Sequence, residues 1–264
     1  MSPRRVALVV IAYNQPVWTE GLVDSARDSK AEVAVHLYLH SNDQATTAVC
    51  ERLSARAEVR YYPYGENRGV SRSWNDGILT AYAEGADVVV VANDDVLPAA
   101  GDLDRVADKA VRCGDRYIIS CAGPHERLGR CLPSHGYSFF AVNPIAIETI
   151  GCFDENFFPA YCEDQDYARR AALAGLSEEN CADTTVLHGG SSAILASQEL
   201  ALQNRITQRN NIAYYMRKWG GDAGSERFES PFGDPELGLR IAPEDRAAPY
   251  GPGYDRTDRY LVAV

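Results

Sequence analysis

The chain is expected to adopt an α/β fold built on a mostly parallel central sheet, and two observations carry that expectation. Short apolar runs alternate with helical segments through the N-terminal part, a rhythm that buries both faces of a parallel sheet under helices. Each of the first four runs then ends in polar residues, at the carboxyl ends of strands, where open α/β sheets place their ligands.

The run VALVVIAY (6–13) reads as the first strand, and Pro16, just past Asn14-Gln15, can open a helix to about Arg27 because the N–H it lacks is not needed there. EVAVHLYLH (32–40) is the second strand, after which Ser41-Asn42-Asp43 cap a helix to about Ala57. EVRYYP (58–63) is the third strand. Residues 69–84 have helical spacing, with Ile78, Leu79 and Tyr82 on one face, and ADVVVVA (86–92) is the fourth strand. Tyr13-Asn14, Asn42-Asp43, Asn67 and Asn93-Asp94-Asp95 should therefore converge on one rim.

Beyond Pro98 the rhythm changes. A helix is expected at 102–112, a strand at 116–123, a loop at 124–134, an alternating strand at 136–144, a short helix over NPIAIETIG, and a helix from near Glu163 to Gly175. A last short strand (183–190) and a long amphipathic helix (197–219) follow, before a tail rich in Pro, Gly and charge that should lie irregularly over the surface.

With 264 residues, 45% hydrophobic and 24% charged, the chain fits one large domain, or one domain with an appended C-terminal segment. Its net charge of -11, with Lys30, Lys109 and Lys218 as the lysines, makes a long nucleic acid an unfavoured partner. A small nucleotide differs, because backbone amides or a cation can neutralise a diphosphate within a cleft. Seven cysteines without a Cys-x-x-Cys pair argue against structural zinc and for a reduced, cytoplasmic protein. Residues 1–5 lead directly into a strand rather than forming a secretory leader, and no apolar run approaches the ~20 residues of a membrane span.

Four constellations bear chemistry, and each has a structural counterpart. Asp94 and Asp95, closing VVVVANDDVLP, suit a hard divalent cation that keeps sites for phosphate oxygens, while Asn and Asp also serve turns and helix caps. AYCEDQDYARR sets Glu163, Asp164 and Asp166 in a first helical turn, where the dipole favours acids and adjacent carboxylates can lift one pKa toward that of a useful base. His188 in VLHGGSS ends a strand beside glycines that let backbone approach a ligand, although a lone histidine is more often structural; His36, His40, His125 and His135 are assigned to no metal. ENRGVSRSWNDGI alternates Asn67, Gly69, Ser71, Ser73, Asn75 and Gly77 with larger residues, which alone describes a capped helix packed on the sheet. The four together, in this order on one expected rim, are far more specific than any one.

In these residues the chain resembles the family 2 glycosyltransferases of GT-A fold, inverting enzymes that use nucleotide-activated sugars, from about Val6 to His188. VVIAYN is similar to the family's first strand and nucleotide loop, and HSND to the second-strand loop that contacts the base. NRGVSRSWNDGI follows N-x-G-x-[AS]-x-[AS]-x-N-x-G at every fixed position. NDD stands at the D-x-D metal motif, with Asn93 as a departure at its first position, and YCEDQDYARRAALAG fits the E-D-x-D helix. His188 fits a histidine that often completes the metal site.

The resemblance implies a GT-A domain over 1–195, with a Rossmann-like nucleotide-binding half (1–98) and an acceptor and catalytic half (99–195), then a C-terminal helix and tail (196–264). It implies Mn²⁺ or Mg²⁺ on Asp95 and His188, and a nucleoside-diphosphate sugar, UDP-linked, against Ala12, Tyr13, Asn14, Asn42, Asn67, Arg72, Asn75, Asn93 and Asp94. Asp164 would be the base that takes the acceptor's proton, Glu163 a donor-sugar or acceptor contact, and Asp166 a capping or structural carboxylate. The acceptor would be a hydroxyl on a glycan, lipid-linked intermediate, natural product, protein or modified nucleobase, the last disfavoured by the acidic charge. The C-terminal segment is expected to anchor the fold through Trp219 and nearby tyrosines, with acceptor shaping or a homodimer contact as alternatives; loop 124–135 is the other acceptor element. Two rivals are weighed. A nucleotidyltransferase is disfavoured because AYNQPVW lacks a glycine-rich, basic signature, and a non-catalytic nucleotide-sugar-binding module is disfavoured by intact Asp95 and Asp164.

Overall fold

A computed structural model describes residues 4–114, 116–190, 198–247 and 249–250. The chain forms two compact units, one of Met1–Asn67, Ser73–Ile145 and Ser177–Ala193, the other of Arg68–Arg72, Ala146–Leu176 and Ile194–Val264. The strands in chain order are β1 (Arg5–Ala12), β2 (Glu32–Leu39), β3 (Val59–Pro63), β4 (Val88–Asn93), β5 (Val96–Leu97), β6 (Arg116–Cys121), β7 (Gly123–His125), β8 (Arg130–Leu132), β9 (Phe139–Val142), β10 (Ser177–Cys181) and β11 (Leu187–His188). The helices are α1 (Pro16–Ser25), α2 (Gln44–Leu53), α3 (Val70–Ala83), α4 (Asp102–Arg112), α5 (Pro144–Thr149), α6 (Glu163–Leu173) and α7 (Gln198–Trp219).

The first unit holds a seven-stranded sheet in the order β10-β6-β9-β4-β1-β2-β3 and a four-stranded sheet in the order β5-β11-β7-β8. β1 lies parallel to β2 and β4, and β2 to β3, as the strand–helix rhythm requires. Residues 88–92 are wholly buried, because a central strand covered on both faces has no solvent side on which to alternate. Asp43 caps α2 as expected, its carboxylate accepting the amide and hydroxyl of Thr46 at 2.8 and 2.7 Å. In α3, Gly77 is required by packing: a β-carbon there would stand 2.3 Å from Cγ1 of Val9, so the absence of a side chain lets the helix lie on β1.

Four expectations are corrected. The loop at 124–134 contains a short hairpin, β7 and β8 around a 3₁₀ turn at Glu126–Leu128. The alternating strand at 136–144 is a 3₁₀ turn, Gly136–Ser138, followed by β9, all four residues of which are buried. Its alternation fails because β9 is interior, antiparallel to both β4 and β6. The strand at 183–190 shrinks to Leu187–His188, and β10 was not anticipated because SEENC is too polar to read as a strand; it lies at the sheet edge.

The second unit is organised by α6 and α7. Phe157, Cys162, Tyr214, Tyr215 and Trp219 form its apolar cluster. Beneath it lies a fully buried charge network. Asp166 accepts from Lys218 Nζ at 2.5 Å, Trp219 Nε1 at 2.9 Å and Arg170 Nε at 2.9 Å. Lys218 also reaches Asp154 at 2.9 Å, where the Tyr214 hydroxyl donates at 3.0 Å. The tail departs from a purely surface course: Ile241 is buried and bridges backward, its amide donating to Ile150 O and its carbonyl accepting from Cys152 N. Among the described residues no helix is long and apolar enough to cross a membrane.

Candidate active site

The polar residues after β1 to β4 form a connected group. Ala12 ends β1, and its carbonyl accepts the His40 amide at 3.0 Å. The Tyr13 amide donates to a carboxylate oxygen of Asp94, and the Ser41 hydroxyl donates to Oδ1 of Asn14, a residue in the left-handed region at φ 58°. His40 bridges Ser73, through Nε2, and Asn67, whose Oδ1 lies 3.4 Å from Nδ1. Asn75 is buried nearby on α3, Asn42 is exposed, and Asn93, the last residue of β4, pairs in register with Ile11. Arg72 belongs to the second unit, where its guanidinium lies 3.9 Å from Glu155.

Two carboxylates sit at the end of β4. Burial pushes Asp94 well above the usual carboxylate range, opposed by the Tyr13 amide and reinforced by Asp95. Asp95 faces His188, whose Nε2 lies 3.4 Å from its Oδ2. The pairing of β5 with β11 sets His188 against Val96, and the Gly189 amide donates to the Asp95 carbonyl at 2.7 Å.

His125 and His135 share this corner, which the sequence reading missed. Their ring centroids lie 4.9 and 5.2 Å from that of His188. The missed signal is the polar hairpin GPHERLGRCL, which brings His125 beside β11. The glycines after His188 allow the approach: a β-carbon on Gly190 would meet Cε1 of His125 at 2.4 Å. His135 lies 3.0 Å from the Val186 carbonyl through Nε2, and because a carbonyl can only accept, that nitrogen carries the proton. Its Nδ1 lone pair is buried without a partner among the described residues, as is Nδ1 of His188. Burial first, and then His188, holds the imidazoles of His125 and His135 below their ordinary pKa.

A carboxylate oxygen beside an imidazole nitrogen fits a divalent cation of the Mn²⁺ kind, and the orphaned histidine nitrogens mark this corner as built for more than packing. Among the described residues no three His, Cys, Asp or Glu side chains are already arranged as a ligand set. Asp95 and His188 are thus a pair of side chains that could hold an ion, short of a complete ligand set.

The acidic residues of α6 are unlike one another. Asp166 is bound by Lys218, Arg170 and Trp219; burial would raise its pKa, but the Lys218 and Arg170 cations hold it below its ordinary value. Asp164 is half-buried and accepts the Gln165 amide at 2.8 Å, and burial raises its pKa. Glu163 is buried, with Oε2 unpartnered among the described residues, and burial and then Asp164 drive its pKa well up.

The mostly parallel sheet and the strand-end cluster define a GT-A fold, and solved structures of that fold are similar. A mannosyltransferase from Pyrobaculum calidifontis, solved with GDP-Man and Mn²⁺, matches 82% of this chain and 67% of its own, with 17% identity and a TM-score of 0.56. TarS 1–349 of S. aureus matches 82% of this chain and 74% of its own, with 16% identity and a TM-score of 0.56; it has also been solved with UDP. A galactofuranosyl glycosyltransferase of Leishmania donovani is 56% identical over 36 residues, which are 14% of this chain and 8% of that relative. The model of glycosyl transferase family 2 matches residues 7–153, more than half of the chain. The chain belongs to that family.

Proposed function

We propose that the protein is a metal-dependent, inverting glycosyltransferase that moves a sugar from a nucleoside-diphosphate donor, UDP-linked, to a hydroxyl acceptor. Family membership supports glycosyl transfer, and the nucleotides in two similar structures, GDP-Man with Mn²⁺ and UDP, support a nucleotide-sugar donor. The observation that carries the assignment of roles is the contrast between Asp164 and Asp166. A general base must keep a lone pair for the incoming proton. Asp166 is held by three donors, two of them buried cations that disfavour taking up a proton, whereas Asp164 is hydrogen-bonded by backbone amides of its own turn.

Asp164 takes the proton from the acceptor hydroxyl as its oxygen attacks the anomeric carbon from the face opposite the leaving diphosphate, which inverts the configuration. Glu163 contacts the donor sugar or acceptor. Tyr13, Asn14, Asn42, Asn67, Arg72, Asn75, Asn93 and Asp94, with the backbone at Ala12, hold the nucleotide and diphosphate. Asp95 and His188 hold Mn²⁺ or Mg²⁺, which when bound stabilises negative charge on the departing diphosphate.

Asp164→Asn tests the reading. UDP and GDP binding with Mn²⁺ is expected to survive while transfer falls by about 10²–10⁴-fold. Transfer near the unmodified rate would remove Asp164 as the base.

A further inference from the structure

The step that carries Glu163 and Asp164 into α6 is held away from ordinary backbone geometry. Tyr161 and Cys162 have φ of 81° and 72° in succession. That region is disfavoured for a residue with a β-carbon, and it persists only where the surroundings over-determine it. One buried side chain of α7 supplies much of that determination. Asn211, fully buried, donates through Nδ2 to the carbonyls of Ala160 at 2.7 Å and Tyr161 at 3.1 Å, and accepts the Phe158 amide on Oδ1 at 3.3 Å. Asn204, two helical turns earlier, donates to the Tyr161 hydroxyl at 3.3 Å. On its other side the same loop receives the start of α3, the Val70 amide donating to Pro159 O at 2.7 Å.

We propose that Asn211 is a positioning residue for glycosyl transfer: its carboxamide fixes the Tyr161–Cys162 step and thereby the direction in which Glu163 and Asp164 leave the N-terminus of α6. The inference rests on the reading of Asp164 as the base. Its force comes from a division of labour along α7. Lys218 and Trp219, about two turns beyond Asn211, hold Asp166, which in turn holds Arg170, so the body of α6 is anchored without it. Loss of the carboxamide frees the first turn and leaves the helix in place. Only an amide donates two N–H bonds and accepts one from this single position; Leu offers none of these, and Ser has one donor and a shorter reach. A base displaced by ~1 Å can cost on the order of 10²-fold in rate.

The test is Asn211→Leu, which keeps the branched shape and the neutral charge. Turnover is read as nucleoside diphosphate released from UDP-glucose, UDP-galactose or GDP-mannose, whichever the unmodified protein uses, and binding is measured by calorimetry with UDP and GDP in Mn²⁺. Expected are a kcat lowered at least tenfold, nucleotide Kd within twofold, and a retained cooperative unfolding transition. If the Leu variant does not fold, Asn211→Ser carries the same comparison with a smaller loss of kcat. A folded variant with kcat within twofold of the unmodified protein overturns the inference, as does nucleotide affinity falling in parallel with kcat. Asp164→Asn is run alongside. Full turnover there removes the base assignment and this inference together, whereas an inactive Asp164→Asn beside a fully active Asn211→Leu removes this inference alone.

Discussion

His188 and Asp95 stand with Nε2 3.4 Å from Oδ2, although they are 93 positions apart in sequence. If this pair holds the cation, Mn²⁺ should increase the thermal stabilisation given by UDP or GDP, and Asp95→Asn or His188→Ala should abolish the increment. A ligand at ~100 times its Kd adds about 2.7 kcal/mol, so the shift is readily measured. An unchanged Mn²⁺ increment in both variants would place the ion elsewhere.

Glu163 gives a pH dependence of unusual sign. Burial raises its folded pKa above the unfolded value, so the native state binds the proton more tightly and stability is lost as pH rises from the unfolded toward the folded pKa. Glu163→Gln should therefore be more stable than the unmodified protein at neutral pH, by about 1 kcal/mol or roughly 2–4 °C in Tm. The difference should vanish below about pH 4, where the carboxyl is protonated in both states. Thermal melts across that range decide it, and a destabilised Gln variant at neutral pH contradicts it.

Lys218 is the cation whose removal should hurt most. Lys218→Met leaves Asp154 and Asp166 facing each other's surroundings with the ammonium gone, all fully buried. Breaking such a pair costs about 3–5 kcal/mol. Pairing Lys218→Met with Asp166→Asn should recover part of that loss, and urea unfolding of the single and double variants measures the coupling.

Gly77→Ala tests packing within the Asn-x-Gly end of the α3 signature. The new methyl would collide with Val9 on β1, and overpacking of this kind costs about 1–3 kcal/mol. A variant as stable as the unmodified protein would mean that α3 can lift off the sheet freely.

The strands β1 to β4 were legible because each is a compact run of apolar residues closed by a polar turn. Asp95 and His188 were legible as candidates because they end strands, and the three acids of α6 because they crowd one helical turn. The direction of β9 was not legible: FFAV is equally apolar in either orientation. His125 was hidden in a short polar hairpin and His135 in the loop just after it, and a propensity reading passes over such pieces. Asn211 was invisible for a different reason. A single amide in a helix carries no pattern, and its role depends on carbonyls about fifty residues away.

The reversal of β9 has a further consequence. Because its first residue, Phe139, pairs with Ala92 near the end of β4, the chain enters β9 at the end of the sheet where Asp94 and Asp95 lie, and leaves it at the other. The segment from Ala122 to Ser138, with its two extra histidines, therefore starts and finishes at the sheet end that carries Asp94 and Asp95. Loops that border a rigid sheet absorb variation, so this segment is a place where relatives can differ while the seven-stranded scaffold is kept.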